Sequence, residues 1–115
     1  MTEYTNFKIT QGDTFQLAVT YVDPLGSPIN ISDFQILFRV KNDFGGKVVC
    51  AEASVGTGIT KTDPVNGEFV VAVSSAKFTL PRSAYQLKIA PIGEDIELNG
   101  ETLASGYILV EKGTI

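Results

Sequence analysis

The sequence predicts an all-β fold, on three observations. The strand-forming residues Val, Ile, Thr, Phe and Tyr recur along its 115 residues, and 43% of all residues are hydrophobic. Apolar and polar residues alternate with a period of two in several segments, whereas no stretch of about twelve residues holds the 3.6-residue period of an amphipathic helix. Turn-forming Gly, Pro, Asn and Asp separate these segments. We therefore expect short strands joined by tight turns.

The first third of the chain predicts two strands and two turns. Residues 4–10 and 15–22 read as strands, because apolar side chains alternate with polar ones in both. The proline- and glycine-rich segment 23–28 predicts a turn. Residues 29–31 are expected to form a short edge segment. The S-x-x-Q spacing at 32–35 is that of a capping box, which predicts a single helical turn.

The middle of the chain predicts a hairpin and a further strand. Residues 35–41 and 47–54 are expected to pair antiparallel across a glycine-rich turn. The second of these strands breaks at the glycines of 55–58 and resumes at 59–62. A turn rich in Asp, Pro, Asn and Gly then leads into a strand at 68–73.

The last third predicts two strands separated by an acidic segment. Residues 74–80, which precede Pro81, are expected to form one helical turn. A strand over 85–89 follows, with Tyr85, Leu87 and Ile89 on one face. An acidic loop or hairpin at 91–100 leads to the last strand at 105–111.

About seven or eight short strands with turns between them are typical of two antiparallel sheets packed face to face. The sequence therefore predicts an immunoglobulin-like two-sheet antiparallel β-sandwich, which we assign to residues 1–115 as one domain. The Cys-Trp-Cys pattern of antibody domains is absent, since the chain has one cysteine and no tryptophan. The predicted inward side chains are Phe7, Ile9, Phe15, Leu17, Val19, Ile36, Phe38, Val40, Phe69, Val71, Tyr85, Leu87 and Ile89.

The composition argues against several classes of partner. A net charge of -4 and a pI near 4.6 leave no basic stripe for phosphates, so nucleic acid is not expected as a partner. No apolar run reaches the roughly 18 to 20 residues that span a bilayer, and the acidic, polar start does not resemble a signal peptide, so no membrane partner is expected. The single cysteine, Cys50, is interpreted as a small hydrophobic residue in a strand.

The residues for catalysis or metal binding are also missing. The chain has no histidine, which removes the commonest general base and the commonest metal ligand, so no enzymatic activity and no cofactor are predicted. The carboxylates at 94–101 are interpreted as a solvated loop rather than a catalytic pair. Asp13, Asp23, Asp63 and residues 94–95 carry carboxylates that could bind calcium, but no calcium-loop spacing supports such a site and no metal site is predicted.

Two stretches carry a resemblance to a known family. F-K-I-T-Q-G-D-T-F at residues 7–15 and D-P-L-G-S-P-I-N-I-S-D-F at 23–34 resemble the opening of a group of tailed-phage virion proteins. These include the N-terminal immunoglobulin-like domain of the baseplate upper protein and similar short tail or head proteins. Later segments also fit: N-G-E-F at 66–69, residues 75–81 and 85–89, and a closing strand through Gly106 to Gly113 and Thr114.

The resemblance implies a structural protein of a phage particle. Such a protein is made in the host cytoplasm, resides in the virion, and docks onto other tail, baseplate or head proteins. Longer relatives continue into a coiled coil or a receptor-binding region, whereas this chain stops at Ile115, so we expect a standalone attachment or decoration module. The alternative is a carbohydrate- or cell-surface-binding module with Tyr4, Tyr21, Phe44 and Tyr107 as a sugar-stacking platform, although tryptophan is absent.

A surplus of apolar side chains predicts where such contacts form. In the last strand Tyr107 and Leu109 alternate with Ile108 and Val110, so one pair faces away from the core whichever pair faces inward. Residues 48–51 and 70–72 carry a similar excess. The chain is therefore expected to form a homo-oligomer or a multi-copy ring, or to dock on another virion protein. The interface candidates are Tyr107, Leu109, Val48 and Val70.

Overall fold

The structure, a computed structural model, describes residues 3–4, 6–42, 48–76, 78 and 82–111. Its strands are β1 Glu3–Tyr4, β2 Phe7–Thr10, β3 Thr14–Thr20, β4 Phe34–Lys41, β5 Val49–Val55, β6 Gly58–Asp63, β7 Glu68–Ser74, β8 Arg82–Pro91 and β9 Glu101–Glu111. A short 3-10 helix covers Pro64–Asn66, and helix α1 covers Ile96–Asn99. The all-β class is confirmed.

The described strands form one mixed sheet with the order β1-β9-β8-β4-β5-β6-β7-β3. Strands β1 and β2 both run parallel to β9 and pair with successive segments of it. The neighbours β9, β8, β4 and β5 are antiparallel, as are β6, β7 and β3. Strands β5 and β6 meet in two parallel pairs, Ser54 with Gly58 and Val55 with Ile59, which places a corner between the two groups of strands.

The sheet folds over so that its two ends face each other across the core. Phe7 in β2 and Phe15 in β3 lie at opposite ends of the strand order, yet their ring centroids are 5.4 Å apart. Phe15 also stacks on Phe38 of the central strand β4 at 5.5 Å. These contacts are those of a sandwich- or barrel-like domain. The division into two separate immunoglobulin-like sheets stays a prediction, because the described strands are hydrogen-bonded continuously.

The core that alternation predicted is confirmed. Nine of the predicted side chains are buried, and Phe7, Ile9, Leu17 and Val19 are partly buried against them. The structure also shows which side chains of the last strand face the core. Ile108 is 0% and Val110 3% exposed, so these two face inward. Alternation did not identify five further members of the core, namely Ile31, Ala53, Ile59, Phe78 and Leu103.

A buried serine fixes the turn between β2 and β3. Ser75, just after β7, is 0% exposed. Its hydroxyl donates to the backbone oxygen of Asp13 at 2.6 Å and accepts from the backbone N–H of Gly12 at 2.9 Å. The buried hydroxyl is thus fully bonded, as burial of a polar group requires. This contact joins the two halves of the fold at one end of the domain.

Two local predictions in residues 29–35 are wrong. Residues 29–31 form no strand, and the chain instead makes a single bridge between Val22 and Pro28. The predicted helical turn at 32–35 is also absent, since β4 already begins at Phe34. The side chain of Asn30 accepts the Ser32 backbone N–H at 2.9 Å, which makes a local turn. The Gln35 amide donates to the Pro91 carbonyl at 3.1 Å rather than capping a helix.

The two later connections differ from the predictions in part. At 74–80, Ser74 ends β7, Ala76 lies in a turn and Phe78 is buried, and residues 77, 79 and 80 lie outside the described residues. The acidic segment at 91–100 contains helix α1, which the sequence did not predict. Asp95 caps it, because its carboxylate accepts the N–H groups of Glu97 and Leu98.

Candidate docking surfaces

The four interface candidates lie in three separate places. Tyr107 and Leu109 share the outer face of β9, next to each other. Val48 precedes β5 and is 58% exposed. Val70 lies on β7 between Ala18 of β3 and Thr60 of β6, where it is half-buried. The structure therefore brings together Tyr107 and Leu109 but not Val48 or Val70.

Tyr107 and Leu109 belong to a basic surface that we call the Arg82–Tyr107 patch, made of Lys41, Arg82, Tyr107 and Leu109. Across the sheet, Lys41 lies opposite Ala84, Ala84 opposite Tyr107, and Arg82 opposite Leu109, so these side chains share the outer face. The Arg82 guanidinium carbon lies 4.3 Å from the centroid of the Tyr107 ring, a cation–π contact. Leu109 beside it is 48% exposed.

An ion pair borders this patch. Lys8 of β2 lies opposite Leu109, and its ammonium is 2.8 Å from the Glu111 carboxylate. The hydrogen bond and the charge of Glu111 raise the pKa of Lys8 above its usual value. In the described part of the chain, by contrast, neither Arg82 nor Lys41 makes an ion pair. The patch therefore presents positive charge beside exposed apolar surface.

A second charged cluster lies further along the same face, beneath α1. The Arg39 guanidinium contacts the Glu52 carboxylate at 2.8 Å and the Glu97 carboxylate at 2.5 Å. Partial burial lowers the pKa of Arg39, but these two carboxylates more than offset this and leave the pKa raised. Lys88 donates to the backbone oxygen of Glu97 at 3.2 Å. These contacts attach α1 to β4 and β8.

The end of the domain opposite the Arg82–Tyr107 patch carries most of the exposed large apolar side chains among the described residues. The loops after β3, β6 and β8 meet there, since Ile31 donates its N–H to the Pro64 carbonyl and Ile92 donates to the Asp33 carbonyl. Of the nine large hydrophobic side chains that are exposed in the described part of the chain, five lie in these loops: Val22, Leu25, Val65, Ile92 and Leu98. Ile92 is 66% and Leu25 91% exposed.

The same loops and the strand ends beside them are strongly acidic, and we call this region the acidic end. Besides the five apolar residues, it comprises Asp23, Asp33, Asp63, Glu68, Glu94 and Asp95. Within the described residues, no lysine or arginine makes an ion pair with any of these six carboxylates. Lys61, which lies in the same region, donates to the backbone oxygen of Ser32 at 3.2 Å. Negative charge therefore surrounds exposed apolar surface.

The loops of the acidic end are held by specific contacts. The Asp23 carboxylate accepts the N–H groups of Leu25 and Ser27, both at 2.9 Å, which fixes the turn that presents Leu25. Gly67 has a φ of 72° and lies against the backbone of Tyr21, whose N–H donates to the Gly67 carbonyl at 2.9 Å. A Cβ at this glycine would lie 2.5 Å from the Tyr21 carbonyl oxygen. The loops therefore have a defined shape.

Tyr21 connects the acidic end to β9. Its hydroxyl donates to the Glu101 carboxylate at 2.6 Å, and its ring packs against Phe34 with centroids 6.3 Å apart. Burial, together with the bond to Glu101, raises the pKa of Tyr21 to about 12. The Tyr21 side chain is therefore held by contacts within the domain. Tyr107, the other described member of the predicted sugar-stacking platform, lies far along β9 beneath Arg82, and the side chains of Tyr4 and Phe44 lie outside the described residues.

A groove of about 360 Å³ lies between β5 and β7, where β6 begins. It is lined by Cys50, Ala51, Glu52, Thr57, Gly58, Ala72, Val73, Ser74 and Ala76. Most of these side chains are small, and the charged one among them, Glu52, is paired with Arg39. The described residues that line the groove therefore include no converging set of ionisable groups of the kind that catalysis uses.

The residues considered for calcium do not gather around one point in the part of the chain that the structure describes. No group of three or more Cys, Asp or Glu side chains there is placed to hold a metal ion. Asp23 and Asp95 instead accept backbone N–H groups of their own turns.

The helices among the described residues are all too short to cross a membrane.

Comparison with known proteins identifies a shared fold. No protein-family model matches the chain, and no curated protein matches its sequence. Among solved structures, it is similar to a chain described as the N-terminal domain of phage TP901-1 ORF48. The TM-score is 0.59 and the sequence identity 18%, and the match covers 97% of this chain and 100% of that chain. This chain therefore has the fold of a phage protein domain.

Proposed function

We propose that this chain is a non-catalytic structural protein of a tailed-phage particle, and that it acts by docking onto other proteins of the tail, baseplate or head. The observation that carries the proposal is the likeness in fold to a phage protein domain over nearly the whole of both chains. The sequence resemblance of residues 7–15 and 23–34 to tailed-phage virion proteins points the same way.

The surface of the domain supports a role in protein contacts. Both the acidic end and the Arg82–Tyr107 patch combine exposed apolar side chains with charges that have no ion pair among the described residues. Exposed apolar surface rimmed by charge is typical of protein–protein interfaces, in which tyrosine and arginine are enriched. The absence of histidine from the sequence and the small-residue lining of the groove support a binding role over catalysis.

Add-back to particles tests this proposal. Phage particles grown with the gene for this chain deleted are mixed with the purified chain and separated by sedimentation. We expect the chain to co-sediment with tail- or head-containing particles at a fixed number of copies. A matched control uses particles that already carry the chain, whose sites are filled and which should take up little more. Equal recovery with both kinds of particle, or none with either, would contradict a structural role.

A further inference from the structure

We infer that the acidic end of one copy of this chain docks on the Arg82–Tyr107 patch of a second copy, in a head-to-tail contact. This inference deepens the proposed function and rests on it, since copies of a particle component that dock side by side can contact one another. It assigns the two sides of such a contact to named surfaces of the domain. The partner is a second molecule of the same chain.

The first argument is charge. The six carboxylates of the acidic end have no lysine or arginine ion pair in the described part of the chain, and Arg82 and Lys41 have no carboxylate. Oppositely charged surfaces attract and orient each other, whereas two acidic ends or two basic patches would repel. The charges therefore favour contact between unlike surfaces over contact between like ones.

The second argument is the apolar content of both surfaces. The acidic end exposes Leu25, Ile92 and Leu98 by 91%, 66% and 81%. The patch offers the Leu109 side chain and an arginine stacked on a tyrosine ring. Tyrosine and arginine are the residue types that most often dominate binding energy at interfaces, and stacking on the ring holds the Arg82 side chain in place before binding.

The third argument is geometry. Strand β8 runs from Arg82 in the patch to Pro91 at the acidic end, so nine steps of about 3.4 Å separate the two surfaces by roughly 30 Å. One copy can therefore use both surfaces at once, with a different neighbour on each. The domain measures 42 by 26 by 26 Å, so its end has an area comparable to the roughly 800 Å² per partner of stable interfaces.

A contact between two different surfaces has a consequence for assembly. Because each copy keeps one surface of each kind available, copies add head to tail, and the series closes into a ring or continues as a filament. A symmetric two-fold dimer would instead use the same surface twice. Head-to-tail addition thus distinguishes this inference from simple dimerisation.

A charge-swap experiment tests the inference on the full chain. Arg82→Glu removes the net positive charge of the patch, and the double variant Glu68→Lys with Glu94→Lys replaces two of the six negative charges of the acidic end with positive ones. All three residues are exposed, so both proteins should fold, which circular dichroism checks. In sedimentation velocity at low salt, we expect the unmodified chain to associate as concentration rises and each variant alone to associate at least tenfold more weakly. An equimolar mixture of the two variants should regain association, because the unaltered acidic end of the Arg82→Glu protein then meets the unaltered patch of the double variant.

Two controls keep the result specific. Lys61→Glu changes the net charge by the same amount as Arg82→Glu but lies at the acidic end, so it should not weaken association. Raising salt from about 0.01 to 1 M shortens the Debye length from about 30 to 3 Å and should weaken association of the unmodified chain. A mixture that stays as weakly associated as its components, or an Arg82→Glu protein that associates as the unmodified chain does, would overturn the inference. Add-back to phage particles reads out the proposed function separately.

Discussion

The core and the acidic end both contain large apolar side chains, but these are buried in the core and exposed at the acidic end. Phe38 in β4 is fully buried, whereas Leu25 in the turn after β3 is 91% exposed, although both are large and apolar. The difference comes from the backbone. In a strand, alternate side chains must point to opposite faces, so one face of a folded-over sheet is buried. In a loop no such constraint operates, and an apolar side chain there remains available for contact with a partner.

Paired truncations should expose this difference most strongly. Phe38→Ala removes a ring stacked between Phe15 and Tyr85, and we expect it to lower the free energy of unfolding by about 3 to 5 kcal/mol. Leu25→Ala should change it by less than about 0.5 kcal/mol. Denaturation with urea measures both. A loss below about 1 kcal/mol for Phe38→Ala would mean that the strand register is wrong.

Glycine substitutions test whether the acidic end is as well defined as the core. Gly67→Ala places a Cβ 2.5 Å from the Tyr21 oxygen and 2.7 Å from the Ile29 oxygen at a φ of 72°. We expect a loss of about 2 to 3 kcal/mol from the clash and the left-handed backbone. Gly26→Ala is the matched control, because its φ is 87° but no atom lies within 4 Å. It should cost only about 1 kcal/mol. Equal losses in thermal or urea unfolding would argue against the close packing at Gly67.

The cap of α1 should give a smaller effect. Asp95→Ala removes the carboxylate that accepts the N–H groups of Glu97 and Leu98, which should cost about 1 kcal/mol. Asp95→Asn keeps an accepting oxygen and should retain most of that stability. Urea denaturation of the two variants measures the difference. If Asn is as destabilising as Ala, the carboxylate does not cap the helix.

Tyr21 offers the most local test, through pH. Its pKa in the folded chain is about 12, above the ordinary value of 10.0, so the stability it contributes is complete below pH 10 and is lost as pH rises from 10 to 12. Solvent screening should keep this contribution below about 1 kcal/mol. Ultraviolet titration should show a late component that shrinks by one tyrosine in Tyr21→Phe and keeps its size in Tyr107→Phe. If the titration curve of Tyr21→Phe matched that of the unmodified chain, Tyr21 would not be a tyrosine with a raised pKa.

Much of the fold follows from sequence alternation, because period two reports directly on a sheet with one buried face. The inward sets of β3, β4, β7 and β8 were identified in this way. Ile31 and Phe78 were missed because they are buried from connecting segments, where no period exists. The helical turn expected at 32–35 was wrong because Asn30 accepts the Ser32 N–H and directs the chain into β4. A capping-box spacing predicts a helical turn only weakly, because side chains such as that of Asn30 can form other hydrogen bonds with the same backbone.

The candidate surfaces were predictable only in part. Strand alternation showed that Tyr107 and Leu109 share one face of the last strand, but not whether that face points outward. The burial of Ile108 and Val110 shows that Tyr107 and Leu109 point outward. Alternation could not show that Arg82 stacks on Tyr107, because that contact depends on the pairing of β8 with β9. The acidic end was missed as a surface because its residues come from three connections far apart in sequence. Their common signal was the coincidence of acidic and apolar residues in predicted turns.

The most direct test of the account is quantitative mass spectrometry of intact, purified particles released by the host that carries the gene for this chain. We predict that the chain is present in every preparation, in a fixed ratio to the major tail or head proteins and at several copies per particle. Its absence from particles that are otherwise complete would contradict the structural role on which the docking surfaces depend.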